Sequence, residues 1–251
     1  MEVFIISSNI RFSTHDDGNH AWPLRKNILA QIYQKYSPIV IGTQEGRQPQ
    51  LEELQEILPG YTLAATHRSW LKERMYPCIF FQQQSVQLHD SGDFWLSLTP
   101  YVDGSSSFES MFPRLCTWVC LQFQDTRFFV FNTHLDHVKA STREAQVSVL
   151  CQEIKKLNTG NLPVIIMGDF NDSPRSQTRQ ILHRNFVRLR DDWSGPEEAS
   201  HHPFSGINPE GQRIDWVLHD FEKKAELHLN KESLDGIWPS DHFPLVAKLR
   251  F

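Results

Sequence analysis

Short runs of β-forming residues recur along the chain, and several share one ending. Ile5-Ile6-Ser7-Ser8-Asn9, Ile39-Val40-Ile41-Gly42-Thr43-Gln44-Glu45, Phe129-Val130-Phe131-Asn132-Thr133-His134 and Val164-Ile165-Ile166-Met167-Gly168-Asp169 each run from apolar residues into an amide, acid or imidazole. Arg213-Ile214-Asp215 and Ser240-Asp241-His242 place similar groups at the start of further runs. A chain built this way folds around rigid strands and collects its polar groups at strand ends. Other strand-like runs are Tyr61–Ala65, Cys78–Phe81, Phe94–Leu96, Leu115–Phe123, Ala225–Leu229 and Leu245–Leu249. Some alternate and others are continuously apolar, as strands buried on both faces are.

Helical spacing appears in three places. Ile28, Leu29, Ile32, Tyr33 and Tyr36 share one face; Leu51, Leu54, Ile57 and Leu58 form a shorter stripe ending at Pro59-Gly60; Val147, Leu150, Cys151, Ile154 and Leu157 form the clearest one. Ser141 and Glu144 read as a capping box for this third helix. Many strands with few helices between them predict two sheets packed face to face with helices outside, a four-layer α-β-β-α sandwich of the α/β class. No linker or repeat divides the chain, so residues 1–251 read as one domain. The stretches 99–113, 134–141 and 190–212 lack a clear element and read as functional loops.

Composition narrows the function. The 251 residues carry 25 Lys and Arg against 30 Asp and Glu, a net charge of −5, so no domain-wide basic field draws in nucleic acid. Four cysteines without a CxxC pair read as buried, reduced thiols. The start Met1-Glu2-Val3-Phe4 lacks a signal-peptide pattern, and no apolar run approaches the ~18 residues of a membrane helix, so a cytoplasmic location is expected; a monomer is the working expectation, which the sequence does not determine. The Asn171-Asp172-Ser173 sequon is then a chance match.

The strand-end groups have their own chemistry. Asp169 and Asn171 are two apart, so on extended backbone they share a face, and Gly168 permits close approach beside them. Several carboxylates at one edge repel each other and are costly to desolvate unless a cation neutralises them, and a hard cation prefers oxygen ligands. Asp241 and His242 are adjacent and face different partners. Asp215 is placed to pair locally with Arg213, to meet His242, or both.

In this order, from Asn9 to His242, these segments resemble the endonuclease/exonuclease/phosphatase superfamily with its deoxyribonuclease-I-like fold. Gly168-Asp169-Phe170-Asn171 followed at long range by Ser240-Asp241-His242 is the specific part, supported by Gln44-Glu45 and Asn132-Thr133-His134. Asn9-Ile10-Arg11, Ala21-Trp22-Pro23, Phe94-Trp95-Leu96-Ser97 and Thr133-His134-Leu135-Asp136-His137 point within it to bacterial single-domain members.

The resemblance implies a Mg²⁺ site, with Mn²⁺ as substitute, whose principal ligand is Glu45, helped by Asn9 and Asp241. It implies that Asp169 orients or deprotonates the attacking water and that Asn171 and His134 hydrogen-bond the phosphoryl oxygens. His242, paired with Asp215, would stabilise charge on phosphorus or, alternatively, act as the base. Arg11 departs from the family, some of whose members carry a second acid there; it is free to meet a phosphate or pair with an acid. Arg11, Glu73, Arg114 and Asp136 are candidates for substrate contact, each with a structural alternative. His201-His202 lacks zinc partners at ligand spacing and reads as a solvated or substrate loop. Lys155-Lys156 reads as the wet end of its helix.

The expected activity is metal-dependent phosphoester hydrolysis by direct water attack, on nucleic acid first by analogy of fold. The alternatives are small sugar or lipid phosphates, for which Trp70, Trp95, Trp193 and Trp238 are available as stacking platforms, and a non-catalytic binding module, against which the intact residue set argues.

Overall fold

The computed structural model describes residues 1–251. It contains β1 (Glu2–Asn9), α1 (Trp22–Tyr36), β2 (Val40–Gly46), α2 (Gln48–Ile57), β3 (Tyr61–Leu63), β4 (Tyr76–Gln82), β5 (Gln87–Trp95), β6 (Leu115–Phe123), β7 (Thr126–His134), α3 (Ala140–Leu157), β8 (Val164–Asp169), α4 (Gln177–Asn185), β9 (Asp215–His219), β10 (Glu226–Leu229) and β11 (Leu245–Arg250). One sheet has the order β10-β11-β1-β2-β4-β3 and the other β5-β6-β7-β8-β9. Both are mixed: β1 pairs β2 and β7 pairs β8 in parallel, and the remaining pairs are antiparallel.

Alternation along each strand distributes side chains among three apolar layers. Ile5, Val40, Ile79, Val119, Val130, Ile165 and Met167 face inward between the sheets. Their neighbours Ile6, Ile41, Cys78 and Phe80 pack outward on Leu29, Ile32, Leu51 and Leu54 of α1 and α2. On the other side Phe129, Phe131, Ile166 and Leu218 pack on Val147, Leu150 and Ile154 of α3 and on Leu182 of α4. This is the four-layer sandwich. Continuously apolar strands are buried on both faces because each sheet meets its partner on one side and helices on the other.

A polar tie joins the sheets within the inner layer. Asn132 of β7 donates from Nδ2 to the carbonyls of Thr43 and Cys78, both at 2.8 Å, and accepts from Gln44 Nε2 at 2.7 Å. The sheets approach closely here: a Cβ on Gly42 would lie 2.4 Å from the Met167 methyl and 3.0 Å from Asn132 Cγ.

Four features differ from the sequence reading. The strand expected at Phe94–Leu96 is the end of the longer β5, whose residues Gln87–Asp93 are mostly polar because β5 is an edge with one partner strand. Helix α4 was not anticipated: few of its side chains are buried, and its start is marked by Ser176 Oγ accepting from the Arg179 amide. Helix α3 begins at Ala140, so Ser141 lies inside it and makes no capping box. Its approach is organised by Asp136, whose Oδ1 accepts from the amides of Val138 and Lys139. Trp95 is core, while Trp70, Trp193 and Trp238 pack on Tyr76, Arg213 and His202 and are not among the cleft-lining residues, so these tryptophans give the cleft no platform. All four cysteines are buried and free, and no helix is long and apolar enough to cross a membrane.

Replacing Asn132 by Ala removes the donor to two buried carbonyls and the shortest acceptor of the Gln44 amide, which keeps only its longer bonds to Ser7 Oγ at 3.3 Å and the Gly42 carbonyl at 3.4 Å. Urea unfolding should show a loss of about 3 kcal/mol; a loss under about 1 kcal/mol would refute the tie.

Candidate active site

Strand register brings the polar strand ends to one edge. Asn9 lies opposite Gln44 in the parallel β1–β2 pair, and His134 opposite Asp169 in the parallel β7–β8 pair. Asp169 also lies opposite Asp215 across the antiparallel β8–β9 pair. Leu245 pairs with Ser7, so the residues preceding β11 run back past the end of β1, where Ser240 Oγ donates to the Asn9 carbonyl at 2.6 Å. Two glycine-like backbone turns sharpen the edge: Glu45 and Asn171 adopt φ of 64° and 50°, left-handed conformations that cost of order 1–3 kcal/mol each in non-glycine residues. Gly168, at φ 140°, leaves no room for a side chain, because a Cβ there would sit 2.0 Å from the Thr133 carbonyl oxygen.

The result is a cleft of about 530 Å³ whose lining includes Arg11, Glu45, Glu73, Arg114, His134, Asp169, Asn171, Asp241 and His242. A groove of equal volume beside Lys155, Phe186 and Arg188 lacks any such convergence of acids and imidazoles. Asn9 sits at the centre, donating from Nδ2 to Glu45 Oε1 at 3.2 Å and to Asp169 Oδ2 at 3.0 Å, with His242 Nε2 at 3.5 Å. Its Oδ1 accepts from the Arg11 amide, so in this arrangement Asn9 orients the two carboxylates. His134 Nε2 and His242 Nε2 stand 3.5 Å and 3.8 Å from Asp169 Oδ2. His242 Nδ1 lies 2.8 Å from Asp215 Oδ2. Arg213 pairs with Asp191 and Glu197, which leaves Asp215 to His242 alone.

Burial and crowding set the protonation states. Burial pushes the Asp169 carboxyl up, and the facing Asp215 adds to it, to about 7 despite the opposing His242. Burial alone would lower His242, but Asp215, with Asp169 and Asp241, carries the imidazolium up to about 10. Burial drives His134 well below its ordinary value, with Arg114 and His242 adding to the effect, so it is neutral. Burial would raise Asp241; His201, His242 and Arg11 overcome that and hold it well below the carboxylate range.

A divalent cation fits this donor set. Glu45, His134 and Asp169 each present a ligand atom within 4.8 Å of the others, as do Asp169, Asp215 and His242. The raised Asp169 shows a centre short of positive charge, and oxygen donors suit a hard ion. Asp241 turns instead toward Arg11 Nη1 at 3.7 Å and His201 Nε2 at 3.8 Å.

The remaining candidates divide. Arg11 lines the cleft and also pairs with Asp17 and Asp241, consistent with the acid-pairing option. Glu73 stands exposed on the rim. Arg114 is in the cleft wall and 7% exposed. Asp136 is not in the cleft: its carboxylate is taken up by the amides of Met111, Val138 and Lys139. His202 is not solvated; it is buried and stacked on Phe243, while His201 reaches the cleft. Lys155 and Lys156 are exposed at the end of α3, as expected.

Sequence reading overlooked Phe12, Arg47, Phe112 and His137 in the lining. It also overlooked Arg25 of α1. This buried guanidinium donates to the carbonyls of Ile10, Arg11 at 2.7 Å, His20 at 2.8 Å and Pro239 at 3.3 Å, binding the loop after β1 to the segment carrying Asp241 and His242. No local pattern marks a helix arginine for that work.

Comparison with solved structures finds close likeness over whole chains. A mannosyl-6-phosphatase from Bacteroides thetaiotaomicron is 27% identical with a TM-score of 0.90, covering 99% of this chain and 100% of that one. An endonuclease/exonuclease/phosphatase family protein from the same organism is 26% identical with a TM-score of 0.89, covering 99% and 97%. A functionally unknown conserved protein from Enterococcus faecalis is 29% identical with a TM-score of 0.85, covering 97% and 98%. A search of curated protein sequences finds no match. The family model for the endonuclease/exonuclease/phosphatase family matches residues 6–242, the stretch that contributes every group converging on the cleft, and the chain belongs to that family.

Proposed function

We propose that this protein is a Mg²⁺- or Mn²⁺-dependent hydrolase that cleaves a small phosphoester by direct in-line attack of water. The observation that carries this reading is the convergence of Glu45, His134, Asp169 and His242 on one spot. A cation held there by Glu45 would supply Lewis-acid polarisation of the phosphoryl group and charge neutralisation. Asp169, which accepts from Asn9 Nδ2 at 3.0 Å and lines the cleft, would orient the attacking water and take its proton. His134 and Asn171 donate to the non-bridging oxygens. His242, kept cationic by Asp215, stabilises charge accumulating on phosphorus, and Asp241 holds Arg11 and His201 at the rim. Positioning and charge stabilisation suffice for phosphoryl transfer without a covalent intermediate.

A cleft of about 530 Å³ has room for a small ester, which favours that substrate over the nucleic acid expected from fold analogy. The likeness to a mannosyl-6-phosphatase supports this preference. The cleft arginines 11, 47, 74 and 114 keep an anionic polymer as the second reading.

Glu45→Gln and Asp169→Asn should each lower kcat by about 10³-fold or more with unchanged thermal melting. Chelation should remove activity, and Mg²⁺ or Mn²⁺ should restore it; turnover in a chelator would reject the metal reading. KM for a small ester should move little between 50 and 200 mM salt, whereas steep weakening would favour nucleic acid.

The raised His242 also links stability to pH. Its contribution is fully present below about pH 6.5 and is lost as pH rises through about 10. Asp215→Asn should flatten this part of the profile in thermal melts from pH 6 to 10. An unaltered slope would mean that the pair does not hold the proton.

A further inference from the structure

Arg114 has an unusual position for an arginine. It is almost wholly buried, immediately before β6, and forms no ion pair. Its one side-chain hydrogen bond runs from Nη2 to His137 Nδ1 at 3.3 Å, and its buried Nε has no partner. Its backbone is anchored, because its carbonyl accepts from the Leu96 amide at 2.7 Å. A guanidinium removed from water without a carboxylate is costly unless an anion completes it. The cleft it faces is where Asp169, Asn171 and His134 meet.

Its surroundings prepare it for a ligand. The guanidinium has only donors, so the His137 ring meets it as acceptor through Nδ1. That ring stacks on Phe112, with centroids 5.9 Å apart and planes at 15°, and the guanidinium carbon lies 5.8 Å from the Phe112 centroid. Phe112 and His137 thus form a wall that holds the arginine fork on the cleft side.

We propose that Arg114, positioned by His137, is a third phosphoryl donor that makes this site select phosphomonoesters over phosphodiesters. The inference rests on the hydrolase reading and names its substrate class. A monoester presents three terminal oxygens and two negative charges near neutral pH; a diester presents two such oxygens and one charge. His134 and Asn171 serve two oxygens. Arg114 serves the third, through charge-assisted bonds of its planar fork. In a diester that oxygen carries a carbon substituent, which removes the charge and would need the room taken by Arg114, Phe112 and His137.

The test compares 4-nitrophenyl phosphate with methyl 4-nitrophenyl phosphate, which share a leaving group and differ by one methyl cap. With Mg²⁺ the native chain should favour the monoester in kcat/KM. Arg114→Met should lower monoester kcat/KM by about 10²-fold and narrow the monoester-to-diester ratio by at least about tenfold. His137→Leu should narrow the ratio less, and His137→Asn, which keeps an acceptor, should restore it. Equal losses on both substrates, or a native preference for the diester, would overturn the proposal.

A second measurement does not need Arg114→Met to fold. Arg114→Lys keeps the charge but loses the fork, so the competitive Ki for inorganic phosphate should rise by about tenfold; an unchanged Ki would overturn it. Metal-dependent turnover of either ester by the native chain upholds the hydrolase reading whatever the ratio. Turnover of neither overturns that reading and the selectivity with it.

Discussion

The contact between Asn132 and the facing strands sets the geometry of everything at the cleft. Two sheets whose inner faces are mostly apolar slide at little cost where only aliphatic surface meets, since burial of such surface is non-directional. Asn132 removes that freedom by spanning the carbonyls of β2 and β4, and Gln44 closes the bridge. Glu45 follows Gln44 by one residue and His134 follows Asn132 by two. The tie that sets the register between the sheets therefore also sets how far apart a carboxylate of one sheet and an imidazole of the other will stand. Buried polar networks of this kind are demanding because every group must be satisfied, and the same demand makes them directional.

Charge accounts for the rest of the site. Asp169 and Asp215 are cross-strand partners, a like-charge arrangement that a sheet ordinarily avoids. It persists because His242 stands between them, bonded to Asp215 and close to Asp169. The cost remains visible in the raised Asp169 carboxyl, which a divalent cation would relieve. Strain at Glu45 and Asn171 and the buried Arg114 belong to the same pattern: local costs gathered where a ligand can offset them.

Legibility in the sequence followed the range of the interaction. Strands buried on both faces were visible as apolar runs, and the better amphipathic helices as stripes, because both follow from periodicity. The edge strand β5 and the helix α4 were not, since a half-solvated edge and a mostly exposed helix carry little apolar signal. Within the site, Glu45, His134, Asp169 and His242 were legible as polar breaks at the ends of apolar runs. Asp136 has the same local look, yet its oxygens are spent on the loop amides beside it. Arg25 shows the converse: it sits in a helix, with no motif, and secures two distant loops.

Chain order alone determined that polar groups would lie at the mouths of buried strands, because alternation and strand ends are local properties of the backbone. It also determined the family, through motifs spread from Asn9 to His242. Which of those groups touch was decided only in three dimensions. Asn9, Asp169 and His242 are 160 and 233 residues apart, counted from Asn9. Their meeting depends on parallel and antiparallel register, on the close sheet approach at Gly42 and on the turn at Gly168. The same holds for Arg114, whose lack of a contacting carboxylate is a fact of packing that no stretch of neighbouring residues encodes.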